Sequence, residues 1–549
     1  MTKRLNAGIV CLAMIASALP ADAAMMPIAG DPITTASGKI AGTELPSGVH
    51  AYLGIPYAKP PVRDLRWQPP QPMAWSGLFN ADRFGAECVQ VLRPHNINHY
   101  FGEELVSEDC LNMNIWTPAT RSGAKLPVIV FIYGGGGTVG SANPALYSGE
   151  EVAKHGAIFV NFNYRVGLLG FMAHPALSQE QGGHSGNYGY LDQNAALRWI
   201  HDNIAAFGGD PEKVIITGQS FGAGSVAAQL ASPLSKGLFR GAAMWSGCNL
   251  QNGAVPLAEA EKVGEQVQQR MGAASLADMR NVPADRILAL QEEHQLGANV
   301  HGFRAPATID GYFWRADKTD AMRQHLFNDV PIIASSNGDD LDSNRYPLVN
   351  ARTVAEYQAM ASRMFGTNAP EFLRLFPVKS DADVPRMAHR AAQETGFLEQ
   401  SRVCGDHMAQ FETSRTYVDL FDHKHPYAPG VKIADQNIET IGAYHTSDVP
   451  YWFGTFDAFN LFRTTRNWTD ADHGLSEVMM GSLISLANTG SPSTGKLAWP
   501  AWTGAQPRFV RFDLEPKIET MDLKRMDWLA AHPAAKIEAP SERSSMTRD

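Results

Sequence analysis

The pentapeptide GQSFG at 218–222 contains the residue types that most directly indicate chemistry. A serine between glycines at this spacing is typical of a strained turn that joins a strand to a helix and exposes the serine hydroxyl. The apolar run VIITG (214–218) precedes the serine, and AGSVAAQLA (223–231) follows it with the composition of a helix. Glycines suit such a turn because side chains there would collide as strand and helix close on each other. This context predicts that Ser220 is a nucleophile and not part of an ordinary turn.

A serine hydroxyl attacks only when a base removes its proton, and an acid must hold that base in one tautomer. On the fold that carries such turns, the chain order is serine, acid and histidine. Downstream of Ser220, the carboxylates of Asp339, Asp340 and Asp342 follow an apolar strand, and His445 lies in a loop-like segment. Because the chain has 17 histidines, its position alone does not select His445.

The run Gly134–Gly137 follows the apolar strand VIVFIY. Glycine backbone lets N–H groups approach a ligand and point together, as an oxyanion hole requires, and losing one such donor costs about 3 to 4 kcal/mol of transition-state stabilisation. The overlapping G-x-G-x-x-G pattern at 135–140 is not followed by a good helix start or by the acidic residue that a dinucleotide site needs. A phosphate loop would need a lysine that residues 135–141 lack.

Metal sites are not predicted. The carboxylates from Asp340 onward imitate the start of a calcium loop, but Arg345 stands where glycine is needed and Ala351 where glutamate is needed. No Cys/His cluster has zinc spacing. The sequence predicts no cofactor and no metal.

Composition and charge exclude several classes. The chain has 549 residues, 44% hydrophobic and 19% charged, with a net charge of −10. Basic residues form no block, so the electrostatic footprint of a nucleic-acid binder is missing. We expect one globular unit over residues 24–531 and a flexible polar tail over 532–549.

The first residues predict export. Residues 1–23 combine a positive start, an apolar run at 7–19 that is too short to span a membrane, and a small-x-small site ending at Ala23. They indicate a signal peptide cleaved after Ala23 and a periplasmic or secreted protein. No later stretch is apolar and long enough for a transmembrane helix, so no membrane anchor is expected.

Cleavage would remove Cys11 and leave four cysteines, Cys88, Cys110, Cys248 and Cys404. An even number of cysteines in an exported chain permits two disulfides. Pairing Cys88 with Cys110 would close a short loop, and pairing Cys248 with Cys404 would join distant segments. Buried free thiols are the alternative, more so for the second pair.

Strand-like and helix-like segments alternate along the chain. Buried strands are predicted at 112–118, 126–133, 157–165, 214–218, 241–247 and 330–336, with helices at 191–207 and 223–231. This alternation indicates an α/β fold with a largely parallel sheet covered on both faces. The more polar stretches at 255–300 and 348–410 are predicted to be helical insertions over one end of the sheet.

Several segments together resemble the type-B carboxylesterase/lipase family, which includes the cholinesterases and many bacterial esterases. The matching segments run from about 38 to 503 and comprise GIPYAKPP with LRWQPP, SEDCLNMNIWTP, FIYGGGG, NYRVGLLGF, the long stretch from GNYGYLDQ to SFGAGS, FRAPATIDG, NGDDL, GAYHTSDVPYWFG and SLANTGSPSTGKLAWPAW. The resemblance implies an α/β-hydrolase fold with helical insertions over the active site.

The resemblance also implies roles for single residues. Ser220 matches the family's nucleophile, His445 its general base, and Asp340 its acid, at a position where the family usually has glutamate. Asp339 and Asp342 remain minor alternatives for the acid. The remaining matched positions are the oxyanion donors Gly135, Gly136 and Phe221, a second buried serine at Ser246, a disulfide between Cys88 and Cys110, and ion pairs of Arg66 with Glu108 and of Arg165 with Asp192.

Three residues depart from the family's pattern. Gln219 replaces a common glutamate and so removes a negative charge that would help to stabilise the histidinium. Phe221 replaces alanine, and Gly137 replaces phenylalanine in the oxyanion segment. We hypothesise that the ring of Phe221 occupies the volume vacated at Gly137.

The sequence therefore predicts a serine carboxylic-ester hydrolase that acts through an acyl-enzyme on a small or medium-sized ester. A non-catalytic binding protein on the same fold is an alternative, although all three triad positions hold competent residue types. Acyl transfer or amide hydrolysis could use the same residues. Tyr100, Phe101 and Arg304 are candidates for the entrance, and the sequence predicts no oligomeric state.

Overall fold

The fold is described from a computed structural model, which describes residues 26–91, 98, 105–248, 250, 254–291, 293–295, 298–300, 302–340 and 346–535. The predicted signal peptide at 1–23 lies outside the described residues. So do Tyr100, Phe101, Asp342 and the part of the predicted tail after residue 535.

The described residues contain 21 strands, and twelve of these form one large sheet. In chain order the strands are β1 Met26–Pro27, β2 Ile33–Thr34, β3 Lys39–Ala41, β4 Thr43–Glu44, β5 His50–Pro56, β6 Leu78–Asn80, β7 Glu87–Cys88, β8 Val106–Ser107, β9 Asn112–Thr117, β10 Leu126–Ile132, β11 Ile158–Phe162, β12 Gly209–Gln219, β13 Gly241–Trp245, β14 Ala254–Pro256, β15 Glu293–Gln295, β16 Ala298–Val300, β17 Ala307–Ile309, β18 Ile332–Asn337, β19 Thr416–Phe421, β20 Arg508–Phe512 and β21 Lys517–Thr520.

The large sheet has the order β1-β4-β5-β9-β11-β10-β12-β13-β18-β19-β20-β21. Its central strands, from β11 to β20 in this order, pair in parallel. The strands at both edges pair antiparallel. The central strands are buried on both faces, as the continuous apolar runs of β10 and β11 predict. The carboxyl ends of parallel strands meet at one edge of a sheet, which is where ligands bind in open α/β folds.

Helices connect these strands. The α-helices are α1 Glu150–Lys154, α2 Gly167–Phe171, α3 Pro175–Glu180, α4 Tyr188–Asn203, α5 Phe221–Ala231, α6 Leu257–Met271, α7 Leu276–Asn281, α8 Ala284–Leu288, α9 Lys318–Arg323, α10 Val354–Phe365, α11 Ala369–Leu375, α12 Val384–Gln393, α13 Phe397–Phe411, α14 Val449–Phe453, α15 Asp470–Thr489 and α16 Leu523–Ala531.

The predicted α/β-hydrolase arrangement is confirmed, with local differences. Strand β12 begins earlier than the strand predicted at 214–218, because its backbone begins pairing with β10 at Gly209. The insertion predicted as helical over 255–300 is helical only to Leu288, and β15 and β16 follow. The second insertion is helical, and α10, α11 and α12 pack around a hydrophobic cluster of their own.

Candidate active site

Ser220 lies at the turn between β12, which ends at Gln219, and α5, which begins at Phe221. Its backbone has φ 58° and ψ −123°, a conformation that a side chain with a Cβ adopts only under strain. The turn is fixed by hydrogen bonds from Ser220 N to Trp245 O (2.8 Å) and from Gly224 N to Ser220 O (3.1 Å). The neighbouring strand β13 therefore holds the serine in its strained position.

The two glycines of the pentapeptide are required by packing. A Cβ on Gly218 would lie 2.3 Å from the carbonyl oxygen of Gly222. A Cβ on Gly222 would lie 2.0 Å from the carbonyl oxygen of Ile132, at the end of β10. Both distances are below any normal contact, so strand, turn and helix can meet only when these residues lack side chains.

His445 and Asp340 are brought together from distant parts of the chain. Nδ1 of His445 is hydrogen-bonded to Oδ1 of Asp340, a buried carboxylate that follows the end of β18. The other oxygen of Asp340, Oδ2, accepts from the Ser246 hydroxyl at 2.6 Å and from the backbone N–H of Asn337 at 3.2 Å. The carboxylate is thereby oriented toward the imidazole, and Ser246 lies beside this pair as the family resemblance implies.

Asp339 has a different role. Its Oδ2 accepts from the N–H of Gly442 at 2.8 Å, and its own N–H donates to Ala443 O at 2.8 Å. The ring of His389 lies 3.5 Å from its Oδ1. Asp339 thus fixes the loop that leads to His445, and its neighbour Asp340 contacts the imidazole.

The side chain of Gln219 reaches the other ring nitrogen of the histidine. Its Nε2 lies 3.2 Å from Nε2 of His445. With the proton of the neutral imidazole on Nδ1, facing Asp340, Nε2 is an acceptor and the amide donates to it. Within the described residues, the Ser220 hydroxyl makes no hydrogen bond. The amide therefore occupies the ring nitrogen that a serine hydroxyl would use.

The glycine segment and the first residue of α5 lie next to the serine. Gly135 and Gly136 have φ 108° and 65°, which favour glycine. In the part of the chain that the structure describes, the N–H groups of Gly135, Gly136 and Phe221 make no hydrogen bond. Phe221 is the first residue of α5, and N–H groups in the first turn of a helix lack intrahelical acceptors. A Cβ on Gly134 would lie 2.9 Å from Cβ of Ser220, which places this segment against the nucleophile candidate.

The ring of Phe221 lies against Gly137. A Cβ built on Gly137 would be 2.7 Å from both Cε2 and Cζ of that ring, which confirms the expected use of this volume. The ring also contacts Phe171 edge-on, with centroids 5.6 Å apart, and stacks on Tyr190 at 6.0 Å. Replacement of a small residue by Phe221 is thus accommodated by the glycine and by an aromatic cluster.

Two further residues near the histidine were not predicted from the sequence. The Asn337 amide donates to Tyr444 O at 2.7 Å and to Oδ1 of Asp448 at 3.1 Å, tying β18 to the His445 loop. Burial raises the pKa of Asp448 to about 6, and the hydrogen bond from Asn337 opposes this shift. Asp448 could have been found from the sequence because it lies three residues after His445. No local pattern marks Asn337.

Both cysteine pairs are bonded. Cys88 is linked to Cys110, with an S–S distance of 2.03 Å, and Cys248 is linked to Cys404. The two implied ion pairs are also present: Arg66 contacts Glu108 at 2.6 Å, and Arg165 contacts Asp192 at 2.7 Å. Arg165 and Asp192 are buried, and their pairing satisfies charges that would otherwise be expensive to bury.

Among the described residues, no group of three or more His, Cys, Asp or Glu side chains is arranged to hold a metal ion. No helix in the described ranges is long and apolar enough to cross a membrane.

The parallel sheet and the serine turn at the end of β12 define an α/β hydrolase. The profile of the carboxylesterase family matches residues 30–528, and the chain belongs to this family. It is accordingly a carboxylesterase, a hydrolase of carboxylic esters of the serine type.

Individual relatives agree with this assignment. The chain is 34% identical to the fumonisin B1 esterase of Sphingopyxis macrogoltabida, with 85% of this chain and 83% of the relative covered. It is 30% identical to the para-nitrobenzyl esterase of Bacillus subtilis (strain 168), with coverage of 89% and 96%. A solved structure of a thermophilic PNB esterase superposes with a TM-score of 0.72 at 27% identity, covering 92% of this chain and 100% of the other.

Proposed function

We propose that Ser220, His445 and Asp340 form the catalytic triad of this carboxylesterase. The observation that carries the proposal is the hydrogen bond between His445 and the buried Asp340, next to a serine held in a strained turn. A carboxylate on Nδ1 keeps the proton on that nitrogen and leaves the Nε2 lone pair available as a base.

In the first stage, Oγ of Ser220 attacks the ester carbonyl carbon while Nε2 of His445 takes the hydroxyl proton. The tetrahedral intermediate then collapses: the bond to the alcohol oxygen breaks, and His445 returns its proton to that oxygen. In the second stage, water attacks the acyl-enzyme by the same route, and the acid and free Ser220 are released.

The negative charge that develops on the carbonyl oxygen needs donors that are already in place. We assign this role to the N–H groups of Gly135, Gly136 and Phe221, supported by their lack of other acceptors within the described chain. Gln219 has to release Nε2 of His445 before the Ser220 hydroxyl can bond to it, since both groups would use one lone pair.

The natural substrate is proposed to be a small or medium-sized ester. Relatives of the chain are named for fumonisin B1 and para-nitrobenzyl esters, so both compounds belong in a substrate panel that varies the acyl and the alcohol parts. Export is also proposed, with cleavage after Ala23. Two disulfides support it, because such bonds persist in oxidising compartments. Mass spectrometry of the mature N-terminus in the producing cells tests this.

The test of the triad uses Ser220→Ala, with Ser246→Ala as the matched control at a neighbouring buried serine. The activity of Ser220→Ala on the ester panel should be about three orders of magnitude or more below that of wild type. A fluorophosphonate, which loses fluoride as a serine oxygen bonds to phosphorus, should label wild type and Ser246→Ala but not Ser220→Ala. Equal turnover by wild type and Ser220→Ala would refute the proposal.

A further inference from the structure

Arg466 is a fully buried cation that is held by neutral groups. Among the described residues, its hydrogen-bond acceptors are Oδ1 of Asn98 at 2.7 Å, Nδ1 of His425 at 3.2 Å, the carbonyl oxygen of Thr465 at 3.3 Å and the hydroxyl of Tyr444 at 3.4 Å. Burying a charge without direct pairing to an opposite charge is costly. Packing alone therefore does not account for an arginine at this position.

The position of the guanidinium is fixed by aromatic rings and by the backbone. Its Cζ lies 3.9 Å from the ring centroid of Tyr427 and 5.0 Å from that of Phe459. The backbone of Arg466 pairs with Tyr427 in an isolated antiparallel bridge. Its N–H donates to Oδ1 of Asn460 at 3.0 Å, and Nδ2 of Asn460 donates to its carbonyl oxygen at 3.0 Å. These contacts hold the guanidinium against the segment that carries His425.

The protonation state of the buried His425 follows from its two partners. Nδ1 lies 3.2 Å from Nε of Arg466, which can only donate, so Nδ1 carries a lone pair. Nε2 lies 2.7 Å from the carbonyl oxygen of Ser447, which can only accept, so Nε2 carries the proton. The ring is thus neutral, and burial and the charge of Arg466 lower its pKa well below the ordinary value. His423 also disfavours protonation and Asp472 favours it, both more weakly.

His425 contacts the loop of the proposed general base on both sides of His445. Its Nε2–H donates to the carbonyl oxygen of Ser447, two residues after His445. Its Nδ1 lies 3.1 Å from the hydroxyl of Tyr444, the residue before His445. A protonated His425 could not accept at Nδ1, so Arg466 preserves this arrangement by keeping the ring neutral.

We propose that Arg466 is a positioning residue for ester hydrolysis, which holds His425 as a neutral bridge between two points of the His445 loop. The inference rests on the proposed function, because it takes His445 as the general base. Arg466 acts through His425 and Tyr444 and is not itself a catalytic residue. Because a displacement of about 1 Å in an active site can cost about 100-fold in rate, loss of the bridge should lower kcat.

The test measures kcat and KM on a neutral ester, at a temperature well below the thermal midpoint of every variant. Arg466→Met removes the charge and the guanidinium donors, and His425→Leu removes the bridge. A double variant with both changes completes a double-mutant cycle. The conservative variant His425→Gln keeps an N–H for the carbonyl oxygen of Ser447 and an oxygen that can accept from the guanidinium.

The matched control is Arg402→Met. Arg402 is also a largely buried arginine, but its ion pairs are with Glu399 and Asp406 on α13 and with Asp527 on α16. None of these partners belongs to the His445 loop. Its replacement should lower the thermal midpoint and keep the wild-type kcat.

Arg466→Met and His425→Leu should each lower kcat about 10- to 100-fold and change KM by less than about threefold. The double variant should be within about twofold of the slower single variant, because both residues act through one bridge. His425→Gln should regain most of the kcat that His425→Leu loses. A general loss of stability would not produce this pattern of non-additivity and recovery.

A wild-type kcat in Arg466→Met overturns the inference, as does a double variant whose loss of kcat is the product of the two single losses. Equal kcat in His425→Leu and His425→Gln overturns it as well, and this comparison decides if Arg466→Met does not fold. So does a loss of kcat in Arg402→Met as large as that in Arg466→Met. Failure of the proposed function looks different, because wild type would then match Ser220→Ala on the ester.

Discussion

The side-chain amide of Gln219 lies 3.2 Å from Nε2 of His445, on the ring nitrogen opposite the one that contacts Asp340. The imidazole is therefore held at both nitrogens, by a carboxylate on one side and by a neutral amide on the other. The amide N–H of Gln219 donates to the Nε2 lone pair, and the amide carries no charge.

Gln219→Glu should move the acid limb of the pH–rate profile of kcat/KM to higher pH by about one unit. The carboxylate accepts from the Nε2–H of the imidazolium, and so the inactive protonated ring persists to higher pH. The profile is measured with a neutral ester. Gln219→Met, which has a similar length and no charge, should keep the wild-type limb. Identical limbs in Gln219→Glu and Gln219→Met would contradict the electrostatic interpretation.

Asp340→Asn should lower kcat about 10³- to 10⁴-fold with little change in KM, because the amide no longer holds the histidine tautomer with the proton on Nδ1. The matched control is Asp339→Asn, whose Oδ1 can still accept from Gly442 N. It should stay within about threefold of wild type, since only a loop contact is altered. A larger loss of kcat in Asp339→Asn than in Asp340→Asn would show that the assignment of the acid to Asp340 is wrong.

The contact between Phe221 and Gly137 can be tested by a double-mutant cycle. Gly137→Ala should lower the thermal midpoint, because φ is +77° there and the new Cβ would lie 2.7 Å from the ring. In a Phe221→Ala background the same change should be milder, with a coupling of about 1 kcal/mol. Phe221→Ala alone should shift the preference toward longer acyl chains. Additive effects of the two substitutions on the thermal midpoint, together with an unchanged acyl-chain preference, would contradict the proposed packing of Phe221 against Gly137.

The two disulfides should differ in their effect on stability. The sequence separation is 156 residues for Cys248–Cys404 and 22 for Cys88–Cys110. Loop-closure entropy then predicts a loss of about 5 kcal/mol for the longer loop and about 3 kcal/mol for the shorter one. Thermal midpoints of the paired Cys→Ser variants should follow this order. A larger loss from the short loop would indicate that local packing decides the effect.

His423 should make stability depend on pH. Burial lowers its pKa, but hydrogen bonds with Asp472 and Asp513, both at 3.0 Å, outweigh this effect and raise it above its ordinary value. A raised folded pKa contributes stability that is fully present below about pH 6.5 and is lost as pH rises through the folded pKa. Burial raises the pKa of Asp472, yet its hydrogen bonds from His423, Thr469 and Tyr451 lower it overall, so its contribution persists into acid.

The thermal midpoint of His423→Gln, compared with wild type, checks this. The difference between the two proteins should be larger at pH 5.5 than at pH 8.5. His155, which contacts Glu477 on a more exposed surface, provides a control, because His155→Gln should lower the midpoint less at both pH values. A difference for His423→Gln that does not change with pH would show that the site acts through packing alone.

Local patterns predicted the elements that carry the serine. The apolar runs of β10, β11 and β12 are long enough to identify buried strands, and the pentapeptide marks the turn after β12. By contrast, β19, β20 and α15 were not assigned from the sequence. The positions of β19 and β20 in the sheet are decided by pairing with β18 and with each other over long sequence separations, which no local hydrophobic periodicity predicts.

Predicting the site depended on the same distinction. Ser220 has a local signal in its strained turn, whereas His445 was selected only through family resemblance. Asp340 was predicted as the acid through the same resemblance, and Asp339 remained a minor alternative because both residues follow β18 and neighbouring side chains point in different directions. The amide contact of Gln219 with His445 could not be predicted, because it joins the last residue of β12 to a distant loop through side-chain conformation.

Gly218 and Gly222 are required by backbone packing, whereas Ser220 is required only by the proposed chemistry. A descendant of this chain that lost its nucleophile would still need both glycines, since strand, turn and helix collide without them. When homologous sequences are compared, the spaced glycine pair is therefore a marker of ancestry and of the turn. Hydrolase activity has to be judged from the residue between the two glycines. A homologue that has both glycines but no serine is expected to keep the fold and to lack this activity.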